Sequence, residues 1–226
     1  MNQALQRAAN QVSRLVVICL VAAGFSGCTH GLGRADKSLA AAELKQNKAQ
    51  HGLWRAKALV FDAAGKQRTL SLDLAAEAPN RLRIDATTSL GVYVGTFVSD
   101  GKNFAWLSAL EKKFVVGAAG SRAARTQIGL PVDAEDVVAA LLNAPMPTGW
   151  TCELGADHSR NCTHATAHAS ASMTPDQDGR RFVFTGPNGP KPAQLRVDAA
   201  RTDVDLDPDS FRLAKPKGYS ETVIAP

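Results

Sequence analysis

The side chains in this 226-residue chain that could do chemistry are grouped around its four cysteines. Cys28 follows Ser26 and Gly27 at the end of an apolar run, and Cys152 and Cys162 enclose a polar stretch near a set of histidines. A cysteine can be acylated, can form a disulfide or can bind a metal ion. The residues around each cysteine decide which of these outcomes applies.

The N-terminal segment has the pattern of an export signal. The apolar run LVVICLVAAGF, residues 15–25, is preceded by Arg7 and Arg14 and by no acidic residue. As a helix it is too short to cross a hydrocarbon core about 30 Å thick. We therefore interpret residues 1–27 as a signal peptide that is removed from the mature protein.

The residues before Cys28 resemble the lipobox of bacterial lipoproteins, in which the signal is cut just before a diacylated cysteine. Two or three acyl chains hold a protein on a membrane, whereas one chain is marginal. In such lipoproteins an aspartate directly after the cysteine favours the inner membrane, and here Thr29 and His30 follow. The resemblance implies an outer-membrane anchor at Cys28, with the body of the protein in the periplasm.

Cys152 and Cys162 remain once Cys19 leaves with the signal and Cys28 is acylated. An even number of cysteines in an oxidising compartment favours a disulfide, which would contribute roughly 2 to 3 kcal/mol. The alternative is a metal site formed with three nearby histidines, His158, His164 and His168. The spacing Cys-x-His-x-x-x-His matches no compact zinc signature, so we predict a disulfide and no metal.

Other classes of function have little support. The chain lacks a G-x-S-x-G motif, a paired-carboxylate motif and a glycine-rich phosphate loop, so we expect neither catalysis nor a cofactor. The formal charge of +5 falls to +3 when Arg7 and Arg14 leave with the signal peptide. The remaining basic residues are scattered and are not interleaved with aromatic residues, so nucleic-acid binding is not expected.

Strands dominate the rest of the chain. Residues 35–50 favour a helix by composition, with Asp36 in a capping position. Apolar and polar residues then alternate between residues 52 and 116, with Gly, Asn and Pro at the turns. This pattern predicts an antiparallel meander of five or six strands.

A second helix and further strands follow. The stretch GLPVDAEDVVAALLNAP predicts a helix that is capped at Asp133 and ends before Pro145. Its apolar face consists of Val137, Val138, Leu141 and Leu142. Strand-like runs resume at GWTCEL and continue towards the C terminus. A sheet with one apolar face buries that face most simply under helices.

The order of these motifs resembles that of the LolA/LolB lipoprotein-carrier superfamily. The motifs are RAKALV, APNRLRID, VSDGKNFAW, IGLPVDAEDVVAALLNAP and a closing F-x-L-x-x-P-x-G. APNRLRID and SDGK are similar to the soluble carrier LolA, whereas the lipobox and SLGV are similar to the anchored receptor LolB. The resemblance implies a mainly β fold with α: an incomplete, half-open antiparallel β-barrel at residues 51–226, with helices covering its concave face. A lipid-anchored segment and helix would occupy residues 28–50.

The resemblance implies an outer-membrane lipoprotein that accepts acyl chains of lipoproteins in a hydrophobic cavity and helps to insert them in the outer membrane. A general lipid-binding or structural lipoprotein of the same fold is the alternative. The implied partners are acylated lipoproteins, a LolA-like periplasmic carrier and outer-membrane lipid, and the chain is expected to be a monomer.

The expected cavity wall consists of apolar residues from the strands and the mid-chain helix. Its members are Leu59, Phe61, Leu70, Leu72, Leu74, Leu82, Ile84, Val92, Val94, Phe104, Trp106, Val137, Val138, Leu141 and Leu142. The same residues would fit a packed core equally well.

Leu90, in TTSLGVYVG, is the expected membrane-contacting residue. In LolB-type proteins this hairpin carries an exposed leucine before a glycine, and here Ser89 replaces the preceding proline of that family. An apolar residue between two strands is unusual, because turns are normally polar. Leu90 is expected either at an exposed tip or folded back onto the core.

We predict that the mature protein begins at a lipidated Cys28. Mass spectrometry of membrane-purified protein should find an N-terminal peptide that starts at Cys28 and carries the mass of its acyl chains. A Cys28→Ala variant should lack this peptide. An unmodified N terminus at any other residue of the parent protein would contradict the prediction.

Overall fold

The fold is seen in a computed structural model. It describes residues 50–61, 66–121, 125–126, 129–176, 179–186 and 192–224. The chain divides into the units Met1–Glu43 and Leu44–Pro226, and every described residue belongs to the second unit. The signal peptide and Cys28 lie outside the described residues, as does the helix predicted at residues 35–50 apart from its last residue.

The described strands form one sheet. In chain order the strands are β1 His51–Phe61, β2 Gln67–Glu77, β3 Arg81–Thr88, β4 Tyr93–Ser99, β5 Asn103–Ser108, β6 Lys113–Ala118, β7 Trp150–Leu154, β8 Arg160–His164, β9 Ser170–Asp176, β10 Gly179–Thr185, β11 Ala193–Thr202 and β12 Ser220–Val223. Their order across the sheet is β12-β6-β5-β4-β3-β2-β1-β11-β10-β9-β8-β7. Neighbours are antiparallel, except that β12 runs parallel to β6. The strands β12 and β7 are the two edges, so the sheet is open.

Alternation of side chains gives the sheet one strongly apolar face. In β3, Leu82, Ile84 and Ala86 are buried, whereas Arg83 and Asp85 point to the opposite face and form an ion pair of 2.6 Å. Successive side chains of a strand point to opposite sides, so this pattern places the leucine and isoleucine in the core. The mainly β, open-sheet architecture expected from the sequence is confirmed.

The helix α1, Ala134–Leu141, packs against β2 and β3. Val137, Val138, Leu141 and Leu142 are at most 2% exposed and belong to the same hydrophobic cluster as the apolar face of the sheet. The mid-chain helix and its predicted apolar face are therefore confirmed.

The orientation expected for Leu59 and Phe61 in β1 is wrong. The residues of β1 that join the core are Trp54, Ala56 and Ala58. Leu59 lies in the same phase of the pleat as the exposed residues of β1 and is only partly buried, as is Phe61. Three consecutive apolar residues, 59–61, left the phase of this strand ambiguous, and the tryptophan and alanines before them set it.

A C-terminal segment covers part of the second face of the sheet. It contains a 3-10 helix, Pro208–Phe211, and Phe211 forms a small cluster with Ala75 and Val98. The guanidinium of Arg81 lies 4.5 Å from the centre of the Phe211 ring, and Arg83 Nη1 donates to the Ser210 carbonyl at 3.1 Å. Charged side chains of β3 thus attach the C-terminal segment to the sheet.

Cys152 and Cys162 lie directly opposite each other in the β7–β8 hairpin, and their sulfurs are bonded. The hairpin is at the edge of the sheet, because β7 is the last strand in the order. A covalent link between these strands therefore fixes an edge that only one neighbouring strand supports.

We predict that alkylation under denaturing, non-reducing conditions will find no free thiol at Cys152 or Cys162. After reduction both residues should be labelled. Replacing both with Ala should lower the free energy of unfolding by roughly 2 to 3 kcal/mol, because the unfolded chain gains freedom. Two labelled thiols without reduction would contradict the disulfide.

Candidate functional site

The β3–β4 hairpin presents Leu90 to solvent. The Leu90 side chain is 90% exposed, and its neighbour Val92 is 53% exposed. The Gly91 amide donates to the Thr88 carbonyl at 2.9 Å, which closes a tight turn, and Gly91 has φ +79°. Of the two positions expected for Leu90, the structure shows the exposed tip.

A polar network fixes the base of this hairpin. Tyr93 Oη lies 2.6 Å from Thr96 Oγ1, and the Thr96 hydroxyl donates to Asp85. Because the threonine proton is directed to Asp85, the tyrosine is the donor of the first bond. Asp85 also accepts from Arg83 Nε at 2.6 Å. The exposed leucine is therefore carried by a hairpin whose two strands are joined by side-chain hydrogen bonds at its base.

Val92 was expected in the cavity wall, and this expectation is wrong. It lies in the turn outside β4 and is 53% exposed. A register shift between Ala86 and Thr87 places Thr87 opposite Tyr93. Such a bulge changes the phase of the pleat, so alternation could not be extended from β4 back into the turn.

Twelve predicted wall residues belong to the hydrophobic cluster that the sheet forms with α1. Nine are buried, namely Leu72, Leu74, Leu82, Ile84, Phe104, Val137, Val138, Leu141 and Leu142, and three are partly buried, namely Leu70, Val94 and Trp106. The sequence interpretation missed further members from β4, β10 and β11, including Phe97, Phe182, Phe184 and Leu195. Alternation in the runs RRFVFTG and AQLRVDA was the signal that could have identified the last three.

Helix α1 occupies the space over β2 and β3. Leu72, Leu82 and Val138 are 7%, 0% and 1% exposed, so the apolar face is packed against the helix. An acyl chain can contact this face of β2 and β3 only if it displaces side chains of α1. This apolar face is thus a potential binding surface that α1 covers in the structure.

An open groove of about 630 Å³ lies elsewhere. Its walls include residues of β4 to β6 together with Phe211, Leu213 and Val223. Phe104 is the only predicted wall residue among its lining residues. The groove is therefore not the cavity that the sequence predicted.

A buried carboxylate holds the start of α1. Asp136 is 6% exposed, and its Oδ1 accepts from Trp150 Nε1 at 2.8 Å. Its Oδ2 accepts from the Asp133 amide at 2.9 Å, and Asp133 forms an ion pair of 2.7 Å with Arg125. Burial raises the pKa of Asp136 from 3.8 to about 6, and the negative charges of Asp133 and Glu135 act in the same direction. At neutral pH the helix therefore keeps a charge in an unfavourable environment.

The three histidines near the disulfide do not converge on one point. His158 lies in the loop between β7 and β8 and His168 in the loop between β8 and β9, and His164 Nδ1 accepts from the Ala167 amide at 3.0 Å. Within the described ranges, no group of three His, Cys, Asp or Glu side chains is arranged to hold a metal ion. The same part of the chain contains no helix that is long and apolar enough to cross a membrane.

Comparison with known proteins gives structural similarities only. No protein-family model matches the chain, and no curated protein matches it. A LolA superfamily protein from Nitrosomonas europaea is similar over 77% of this chain and 97% of its own, with 8% identity and a TM-score of 0.43. A domain from Vibrio parahaemolyticus, named provisionally as an outer membrane lipoprotein-sorting protein, is similar over 79% and 97%, with 9% identity and a TM-score of 0.42.

An uncharacterized conserved protein from Thermus thermophilus is similar over 84% of this chain and 99% of its own, with 9% identity and a TM-score of 0.38. TM-scores below 0.5 do not define a family. We therefore base the function on the residues of this chain.

We predict that Asp136 makes the protein less stable as the pH rises. Its pKa is higher in the folded protein than in the unfolded chain, so the folded state binds the proton more tightly between about pH 4 and 6. Relative to an Asp136→Asn variant, the parent should lose up to about 3 kcal/mol of unfolding free energy between pH 4 and 7. Denaturant titrations at both pH values measure this difference. Equal losses in the two proteins would contradict the prediction.

Proposed function

We propose that this protein is a lipid-binding lipoprotein of the LolA/LolB type that works as a LolB-like receptor. Anchored in the outer membrane, it accepts the acyl chains of lipoproteins in the periplasm and helps to insert them in the bilayer. It acts by binding and release, without catalysis. The observation that carries the proposal is Leu90, a leucine 90% exposed to water at the tip of a hairpin whose base is joined by side-chain hydrogen bonds.

The exposure of Leu90 does not stabilise the fold. A leucine in water gains nothing from the fold, whereas its transfer into lipid supplies roughly 1.5 to 3 kcal/mol. This is enough to bias contact with a bilayer and too little to anchor the protein. Such a weak contact is sufficient for an anchored receptor, because its acyl anchor already holds it near the membrane.

The binding step uses the apolar face of the sheet beneath α1. Leu72, Leu82 and the other buried residues form a continuous surface whose chemistry suits an acyl chain. Displacement of α1 exposes this surface, and the arriving chain replaces the contacts that the helix loses. The charge of buried Asp136 at neutral pH lowers the free energy needed to displace the helix.

Release follows from the similarity of the two apolar environments. An acyl chain gains little when it moves between two protein surfaces, so transfer from a carrier depends on a small difference in affinity. The final step into the bilayer is favourable because acyl chains pack best there, and α1 then returns to the sheet. The hairpin tip positions the site at the bilayer during this step.

We predict that Leu90→Glu separates uptake from insertion. The variant should fold with the parent's stability and accept an acylated lipoprotein from a carrier, because the side chain of residue 90 lies in water and outside the core. Insertion into liposomes should fall about tenfold or more, since the leucine contact is lost and a carboxylate is costly among lipid tails. Transfer of a labelled lipoprotein into liposomes measures the second step.

Leu154→Glu is the matched control. Leu154 is 74% exposed, but it ends β7 at the opposite end of the strands, so uptake and insertion should both remain unchanged. Normal insertion by Leu90→Glu would exclude the receptor function. Failure of the parent to accept any acylated protein would favour a general lipid-binding lipoprotein of the same fold.

A further inference from the structure

A second exposed leucine lies at the same end of the sheet as Leu90. Leu110, in the β5–β6 turn, is 70% exposed. The Ala109 amide donates to the Val94 carbonyl at 3.0 Å, which places this turn beside the start of β4. Since the order β3-β4-β5-β6 is continuous, the β3–β4 and β5–β6 turns are about two strand spacings, or roughly 10 Å, apart.

Lysines surround this second turn. Lys112 and Lys113 follow Leu110, and the Ser220 amide donates to the Lys112 carbonyl at 3.0 Å, which brings the start of β12 alongside. Lys217 lies in the turn just before β12 and is exposed, as is Lys112. Glu111 pairs with Lys113 at 2.8 Å, and Glu221 pairs with Lys215 at 2.7 Å. Over these six residues, an excess of two positive charges comes from Lys112 and Lys217.

We propose that the β5–β6 turn is a second membrane-contact site, in which Leu110 enters an anionic lipid surface beside Leu90 while Lys112 and Lys217 lie at the lipid headgroups. The proposal rests on the proposed function to the extent that this end of the sheet faces the bilayer. The lipid class that this end of the sheet recognises is anionic lipid.

Two leucine contacts restrain the tilt of the sheet at the membrane, which one contact cannot do. A single leucine leaves the sheet free to tilt about the point of contact, whereas two leucines roughly 10 Å apart define a line that restrains one tilt direction. The lysines give the surface its preference for anionic lipid, because each basic residue near an anionic membrane strengthens binding about fivefold. The turn thereby directs this end of the sheet toward the bilayer.

The test measures the depth of residue 110 in the membrane directly. The mature Leu110→Cys protein carries one free thiol if Cys28 is acylated and Cys152 is bonded to Cys162, and this thiol is labelled with an environment-sensitive fluorophore. The protein is reconstituted in vesicles of phosphatidylethanolamine and phosphatidylglycerol that contain a spin-labelled lipid. We expect a blue-shifted emission that the spin label quenches, as at Leu90→Cys.

Two sets of controls make the result decisive. Leu154→Cys, at the opposite end of the strands, should remain in water and unquenched. Adding Lys112→Gln and Lys217→Gln, or using vesicles of phosphatidylcholine alone, should reduce quenching at residue 110, with each lysine contributing about fivefold to the contact equilibrium.

Quenching at residue 110 no greater than at residue 154 would overturn the proposal. A blue shift at residue 110 that appears only when a carrier protein is added, without quenching by the spin-labelled lipid, would assign the turn to a protein partner. Equal quenching in neutral and anionic vesicles would overturn the charge preference. The measurement needs no cargo transfer, so its failure is distinct from failure of the receptor function.

Discussion

The fold depends on one constraint, which is that an open sheet with a wide apolar face must keep that face out of water. In a closed barrel the sheet would cover itself, but here the edge strands β12 and β7 do not pair with each other. The eight residues of α1 cover β2 and β3 with Val137, Val138 and Leu141. The cover of this part of the sheet is therefore a single short helix.

The two faces of the sheet are covered in different ways. Beneath α1 the contacts are apolar, and the buried charge of Asp136 opposes burial. On the other face, Phe211 and Ser210 are held by the guanidinium groups of Arg81 and Arg83. Apolar contacts exchange readily for an acyl chain, whereas directional bonds from charged groups do not. The proposed acyl-chain binding therefore belongs to the α1 face, whereas the contacts of Ser210 and Phe211 attach the 3-10 helix to the sheet.

Alternation and helix capping predicted much of the fold. The strands of the meander and α1 emerge from the sequence because Leu82 and Ile84, or Val137 and Leu141, recur with the period of their element. The sequence did not predict which side chains of β1 face the core, because residues 59–61 are all apolar and are compatible with either orientation. The parallel pairing of β12 with β6 was also out of reach, because pairing between segments distant in the chain has no local signature.

The sequence predicted which kinds of residue form the candidate site. It did not predict whether these residues enclose a cavity or pack against α1. Twelve of the fifteen predicted wall residues lie in the apolar cluster, but they include only nine of its 27 buried members. Whether α1 or empty space lies over these residues depends on packing, which periodicity does not encode. The position of Leu90 was equally open, because the direction of a turn side chain follows from backbone angles such as the positive φ of Gly91.

At the hairpin tip, two neighbouring positions are subject to different kinds of selection: folding constrains residue 91, and the proposed membrane contact constrains residue 90. A Cβ at position 91 would meet no described atom within 4 Å outside its two chain neighbours, yet the Gly91 φ of +79° favours glycine, so variation there is limited by the backbone. Leu90 has no such requirement, and folding would tolerate a polar residue in its place. Among descendants of this gene, a glycine kept at 91 would therefore record the demands of folding. A large apolar residue kept at 90 would record an encounter outside the molecule.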